Sequence, residues 1–151
     1  MKKLDTNKII IYTDGGSRGN PGPSAIGVVI KNTDGNTLKK YGEFLGVKTN
    51  NEAEYDAVIF ALKKVKALFG KEKAKQTEIL IKMDSELVKK QLSGEYKIEQ
   101  ETLFPYFIKI WNLKMDFRKV EFHHIPREQN KEADKLVNET LDNQQNKQSL
   151  F

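Results

Sequence analysis

Between two β-rich segments the chain reads Asn32-Thr33-Asp34-Gly35-Asn36, and that turn commits it to an antiparallel pair. Asp-Gly supplies the positive φ that tight hairpins need. Residues 25–31, Ala-Ile-Gly-Val-Val-Ile-Lys, form the strand before the turn, and residues 37–45 return beside it. Residues 8–14 are a further β-rich stretch ahead of both. An amphipathic pattern over residues 51–69 predicts a long helix, followed by a strand over residues 77–83 and a short helix over 85–92. After a break at Ser93-Gly94-Glu95-Tyr96-Lys97, a helix is expected within residues 99–115, with Pro105 early in it. A strand over 119–125 and a helix over 130–141 close the pattern. This order predicts an α/β fold, a mixed five-stranded sheet with three antiparallel and then two parallel strands, flanked by helices.

A chain of 151 residues calls for one domain. That domain is expected over residues 1–142, with the polar residues 143–151 as a fraying tail. There is no Cys, so no disulfide, thiolate nucleophile or thiolate zinc ligand is available. The longest apolar run, Ile9-Ile10-Ile11-Tyr12, is far short of the ~20 residues of a membrane span. The short apolar run behind the basic start ends in Thr-Asp-Gly-Gly and does not read as a secretory signal. A soluble, cytoplasmic monomer is expected. The excess of 26 Lys+Arg over 21 Asp+Glu suits a polyanionic partner, although Lys-rich faces such as Lys63-Lys64-Val65-Lys66 also arise simply as solvated helix surface.

Four acids stand out by position. In the first strand, Ile10, Tyr12 and Asp14 share a face; in the fourth, Leu80, Lys82 and Asp84 do so. Both aspartates are expected at the C-terminal ends of strands, where open α/β sheets bind ligands. In the long helix Ala57, Val58, Ala61, Leu62, Val65, Leu68 and Phe69 form one apolar stripe. Glu54 falls near its centre, with Glu52 and Asp56 almost opposite. A carboxylate on a buried stripe is costly unless it is paired or binds a metal. Asp134 opens the last helix beside Ala133, Val137 and Leu141, where an acid also suits the helix dipole. Oxygen ligands without Cys favour Mg²⁺ or Mn²⁺ over zinc. Two such ions can drive in-line phosphoryl displacement.

Four segments carry a family resemblance. They are Tyr12-Thr13-Asp14-Gly15-Gly16-Ser17-Arg18-Gly19-Asn20-Pro21-Gly22-Pro23, Thr49-Asn50-Asn51-Glu52-Ala53-Glu54-Tyr55-Asp56-Ala57, Asp84-Ser85-Glu86-Leu87-Val88 and Arg127-Glu128-Gln129-Asn130-Lys131-Glu132-Ala133-Asp134. In order and spacing, over about residues 8–141, they resemble type 1 ribonuclease H, the ribonuclease HI family. The resemblance implies that Asp14, Glu54, Asp84 and Asp134 bind two Mg²⁺, for which Mn²⁺ substitutes. It implies hydrolysis of the RNA strand of an RNA–DNA hybrid, leaving 5′-phosphate and 3′-hydroxyl ends. It places Gly15, Gly16, Ser17, Asn20, Thr49, Asn50 and Asn51 against the hybrid. The glycine-rich stretch lacks the Gly-Lys-Ser/Thr ending of a nucleotide-binding loop. It reads either as a tight loop or as close backbone approach to a sugar–phosphate groove. Asn51 is also a candidate helix N-cap.

The chain departs from many relatives in four places. The loop before Asp134 is short and lacks the family's histidine; His123 and His124 precede it within a strand, and Arg127 is the expected stand-in. Residues 93–100 hold one cation, Lys97, where many bacterial relatives carry a basic handle, so weak, salt-sensitive hybrid binding is expected. Glu86, also expected against the hybrid, stands where many relatives have a neutral Gln. The terminal Lys147-Gln148-Ser149-Leu150-Phe151 faintly resembles a sliding-clamp peptide through Leu150 and Phe151. Other readings are a related nuclease acting on double-stranded RNA or junctions, and a non-cleaving hybrid-binding module.

Overall fold

The computed structural model describes residues 7–149. Its five strands are β1 (Asn7–Ser17), β2 (Gly22–Asn32), β3 (Thr37–Lys48), β4 (Thr77–Met83) and β5 (Lys119–His124). Its helices are α1 (Asn50–Phe69), α2 (Lys71–Lys75), α3 (Glu86–Leu92), α4 (Phe104–Lys114) and α5 (Lys131–Ser149). Leu150 and Phe151, which carry the sliding-clamp expectation, lie outside the described residues.

The sheet order is β3-β2-β1-β4-β5. β1–β2 and β2–β3 pair antiparallel, while β1–β4 and β4–β5 pair parallel, as the order of elements predicts. Gly35, at φ +87°, turns the chain between β2 and β3.

Alternation along β2 divides the molecule into two layers. Ile26, Val28 and Ile30 join Ile9 and Ile11 of β1 under α1, whose Tyr55, Val58, Leu62 and Val65 are fully buried. Ala25 faces the other way, against Val137 and Leu141 of α5. Burying a side chain of this size contributes about 1.5–3 kcal/mol, so both faces of the sheet hold their helices firmly.

Two glycines let these helices come close. A Cβ on Gly15 would run into the Ala53 backbone of α1, and one on Gly27 into the Ala133 carbonyl of α5. Glu54 and Asp134 are the residues that follow those two contact points.

Several boundaries differ from expectation. β1 continues to Ser17, so Asp14 lies within the strand; what ends beside it is the parallel ladder, at Thr13 opposite Met83. Thr49, not Asn51, caps α1, in a reciprocal capping box with Glu52. Leu68 is 47% exposed, because the stripe turns away from the sheet in the last turn of α1. Asp56 does not face open solvent: it is pulled inward by Lys48, 3.2 Å away, which also donates to Tyr106 of α4 at 2.7 Å. The short helix α2 was not anticipated. α5 runs eight residues past Leu141, where Asp142 and Gln145 meet Arg18, a contact that sequence proximity could not suggest.

Candidate active site

Where the β1–β4 ladder ends, Asp14 and Asp84 are the next residues of neighbouring parallel strands, so the chain directions alone bring them side by side. Glu54 enters from α1, on the opposite face, through the gap left by Gly15. Its Oε1 accepts the Gly15 N–H at 2.6 Å. One oxygen from each of Asp14, Glu54 and Asp84 lies within 4.8 Å of the others. Asp134 is outside that three-carboxylate group but lines the same cavity as Asp14 and Asp84, and its charge acts on Asp14. The residue that the helical stripe singled out is thus the one that points into the cluster. Glu52 caps its own helix instead.

The electrostatics are those of acids crowded without enough compensation. Burial foremost, and then the charges of Asp84 and Asp134, push Asp14 from 3.8 up to about 7. Glu54 is raised well above the ordinary range, by burial first and then by Asp14 and Asp84. The contact between the two carboxyl groups pulls Asp14 down and pushes Glu54 further up.

The remaining expected residues divide into two groups. Gly15, Gly16, Ser17, Asn50 and Arg127 line the cavity. The Asn50 Oδ1 accepts from the Ser17 N–H at 2.9 Å and from its hydroxyl at 3.0 Å. Asn20 in turn accepts the Asn50 N–H at 3.0 Å. Thr49 is occupied with capping. Asn51 lies in a neighbouring groove with Leu87, Tyr96 and Lys97, and exposed Glu86 pairs with Lys90 at 3.3 Å. His123 and His124 are both exposed at the end of β5.

Sequence reasoning treated Asn130 only as the start of a helix. In the structure it is 1% exposed, and its Nδ2 donates to the Thr13 carbonyl at 2.9 Å and to Asp84 Oδ2 at 3.0 Å. A polar residue ahead of the Ala133–Val137–Leu141 stripe was the available signal.

Oxygen donors from three crowded carboxylates suit a hard divalent cation whose charge would relieve their repulsion. The donor set contains no sulfur or imidazole that would favour zinc.

The reverse transcriptase-like family profile matches residues 12–140 of this chain. The ribonuclease HI of Halobacterium salinarum is 40% identical over 135 residues, covering 89% of this chain and 65% of that protein. The bifunctional protein Rv2228c of Mycobacterium tuberculosis is 37% identical over 136 residues, 89% of this chain and 36% of that protein. The chain therefore spans about a third of the length of the mycobacterial relatives. Among solved structures, LC11-RNase H1, isolated from compost by a metagenomic approach, is 50% identical with a TM-score of 0.84. That match covers 91% of this chain and 97% of the other, and LC11-RNase H1 has also been solved in complex with an RNA/DNA hybrid.

Proposed function

Since the chain belongs to the reverse transcriptase-like family, we propose that it is a divalent-metal-dependent endoribonuclease that cuts the RNA strand of RNA–DNA hybrids. The observation that carries this reading is the convergence of Asp14, Glu54 and Asp84 oxygens within 4.8 Å, from two strands and a helix. The likeness to ribonuclease HI, and to a relative that binds an RNA/DNA hybrid, supports the substrate class.

Asp14 and Asp84 would hold one Mg²⁺ and Asp14 and Asp134 a second, with Glu54 between the first and the ribose 2′-hydroxyl. When bound, such ions stabilise charge on the attacking and leaving oxygens of an in-line displacement. Water adds to phosphorus and the bond to O3′ breaks, giving a 5′-phosphate and a 3′-hydroxyl. The chain's own contribution is placement. Gly15 anchors Glu54, Asn130 anchors Asp84, and Ser17 and Asn20 fix Asn50. With its Oδ1 taken by Ser17, Asn50 offers its NH₂ donors, suited to a ribose hydroxyl or a phosphate oxygen. A 2′-hydroxyl is the group that separates RNA from DNA at such a position.

The test is a labelled hybrid, double-stranded RNA and double-stranded DNA, each with Mg²⁺, Mn²⁺ or EDTA. Cleavage of the hybrid alone, abolished by EDTA, is expected. Preferential cutting of double-stranded RNA would move the substrate assignment, and hybrid bound but never cut would leave a binding module.

A further inference from the structure

Two cations line the carboxylate cavity, Arg127 and Arg18. Arg18 lies in the loop after β1, and its guanidinium is gripped by α5. It pairs with Asp142 Oδ1 at 2.7 Å, donates from Nη1 to Gln145 Oε1 at 3.1 Å, and donates from Nη2 to the Asn138 carbonyl at 3.4 Å. Asp142 and Gln145 belong to the stretch of α5 beyond Leu141.

We propose that Arg18 binds a phosphate of the RNA strand next to the scissile one, and that Asp142 and Gln145 orient it for that task. The proposal rests on the function proposed above. A nucleic acid strand entering a cavity lined by Asp14, Asp84 and Asp134 meets negative charge, so the phosphates flanking the reaction centre need a cation at the rim. Arginine's planar fork meets phosphate with two parallel bonds.

A loose arginine would give up rotamer freedom on each binding event; here the contacts with α5 hold it beforehand, which leaves binding less to order. Those contacts use at most three of the five N–H donors, so the fork retains capacity for an anion. Stability alone does not account for the arrangement. The side chains of Arg18 and Asp142 are 38% and 61% exposed, and pairs so open to water contribute little to folding.

The experiment measures cleavage and binding of a labelled hybrid across a salt series, using the full chain and the variants Arg18→Ala, Arg18→Lys, Asp142→Asn and the Ala/Asn double. Arg18→Ala should raise KM roughly tenfold, the scale of one charge-assisted contact, with the loss falling mainly on KM rather than kcat. It should also flatten the log–log salt dependence of binding by about one unit. Arg18→Lys should restore the slope but only part of the affinity. Asp142→Asn should raise KM less, and add nothing in the Arg18→Ala background. Unchanged KM and slope in Arg18→Ala would overturn the proposal. So would a lowered melting temperature with the slope intact, which marks a structural brace. Binding in EDTA reads the same contact without chemistry. If the wild type binds hybrid but cuts none, the functional reading fails while Arg18 is still judged on affinity and slope; if it does neither, both fail.

Discussion

Asn130 holds Asp84 in place: its Nδ2 donates to Asp84 Oδ2 at 3.0 Å and to the Thr13 carbonyl at 2.9 Å. One buried amide at the head of α5 thereby ties the end of the β1–β4 ladder to the carboxylate that follows β4. Asn130→Ala should cost about 1–3 kcal/mol of stability, the scale for leaving a buried group without its partner. It should also lower kcat more than it raises KM, because Asp84 loses its support. Denaturant unfolding together with steady-state kinetics checks both. Asn130→Asp should be worse, since it sets a second acid against Asp84.

Adjacent glycines in the first motif should respond oppositely to the same methyl group. A Cβ on Gly15 meets α1 backbone, whereas one on Gly16 meets only Val137 Cγ1, at 3.6 Å. Gly15→Ala should destabilise by about 1–3 kcal/mol or more, as overpacking does, and displace Glu54 along with α1. Gly16→Ala should fold normally. Thermal melts of the two variants make the comparison.

Acid crowding makes a stability prediction with a definite sign. Asp14 is raised from 3.8 to about 7, so in the absence of a cation the folded protein keeps a proton that the unfolded chain releases. This group's contribution is therefore fully present below the ordinary aspartate range and is lost as pH rises from about 4 towards about 7. In EDTA, Asp14→Asn should melt above the wild type at pH 7.5, and the gap should close towards pH 4. Mg²⁺ should raise the wild-type melting temperature at neutral pH, because it binds the folded state. An Asp14→Asn variant that melts below the wild type at pH 7.5 in EDTA would contradict the crowding.

Hybrid affinity should be low, with a shallow dependence on salt. The stretch between α3 and α4 carries Lys97 alone, and the nearby groove also contains Glu95 and Glu99. Without a basic handle, binding depends on the few cations around the cavity. At any one salt concentration the hybrid should therefore bind more weakly than it does to a relative that has the handle, and doubling the salt should weaken binding by a smaller factor, because fewer phosphates are neutralised. Equal affinities at equal salt would refute this.

What the sequence revealed and what it hid follow from how local each signal is. The Asp-Gly turn and the alternating strands are short-range features, and the strands and their antiparallel-then-parallel character follow from them and from the order of elements. Helical spacing separated Glu54 from Glu52 because burial on one face is periodic. The continuation of α5 past Leu141 was hidden because the residues are polar and the side chain they contact, Arg18, is 127 positions away from Gln145. The partners of Asp56 were hidden for the same reason: Lys48 comes from a different element and also meets Tyr106 of α4. Gly15 was read as either a tight loop or a close approach to substrate. Its N–H is also taken by Glu54 and its missing side chain makes room for a helix, a contact between elements that no local pattern encodes.

The central claim, that these carboxylates perform the hydrolysis, is tested most directly by the single-turnover cleavage rate of a labelled RNA–DNA hybrid by Asp84→Asn in Mg²⁺. A fall of about a thousandfold or more is predicted, on the scale of removing a group that stabilises transition-state charge, with the variant still folded and still binding hybrid. Cleavage by Asp84→Asn at close to the wild-type rate would contradict the account.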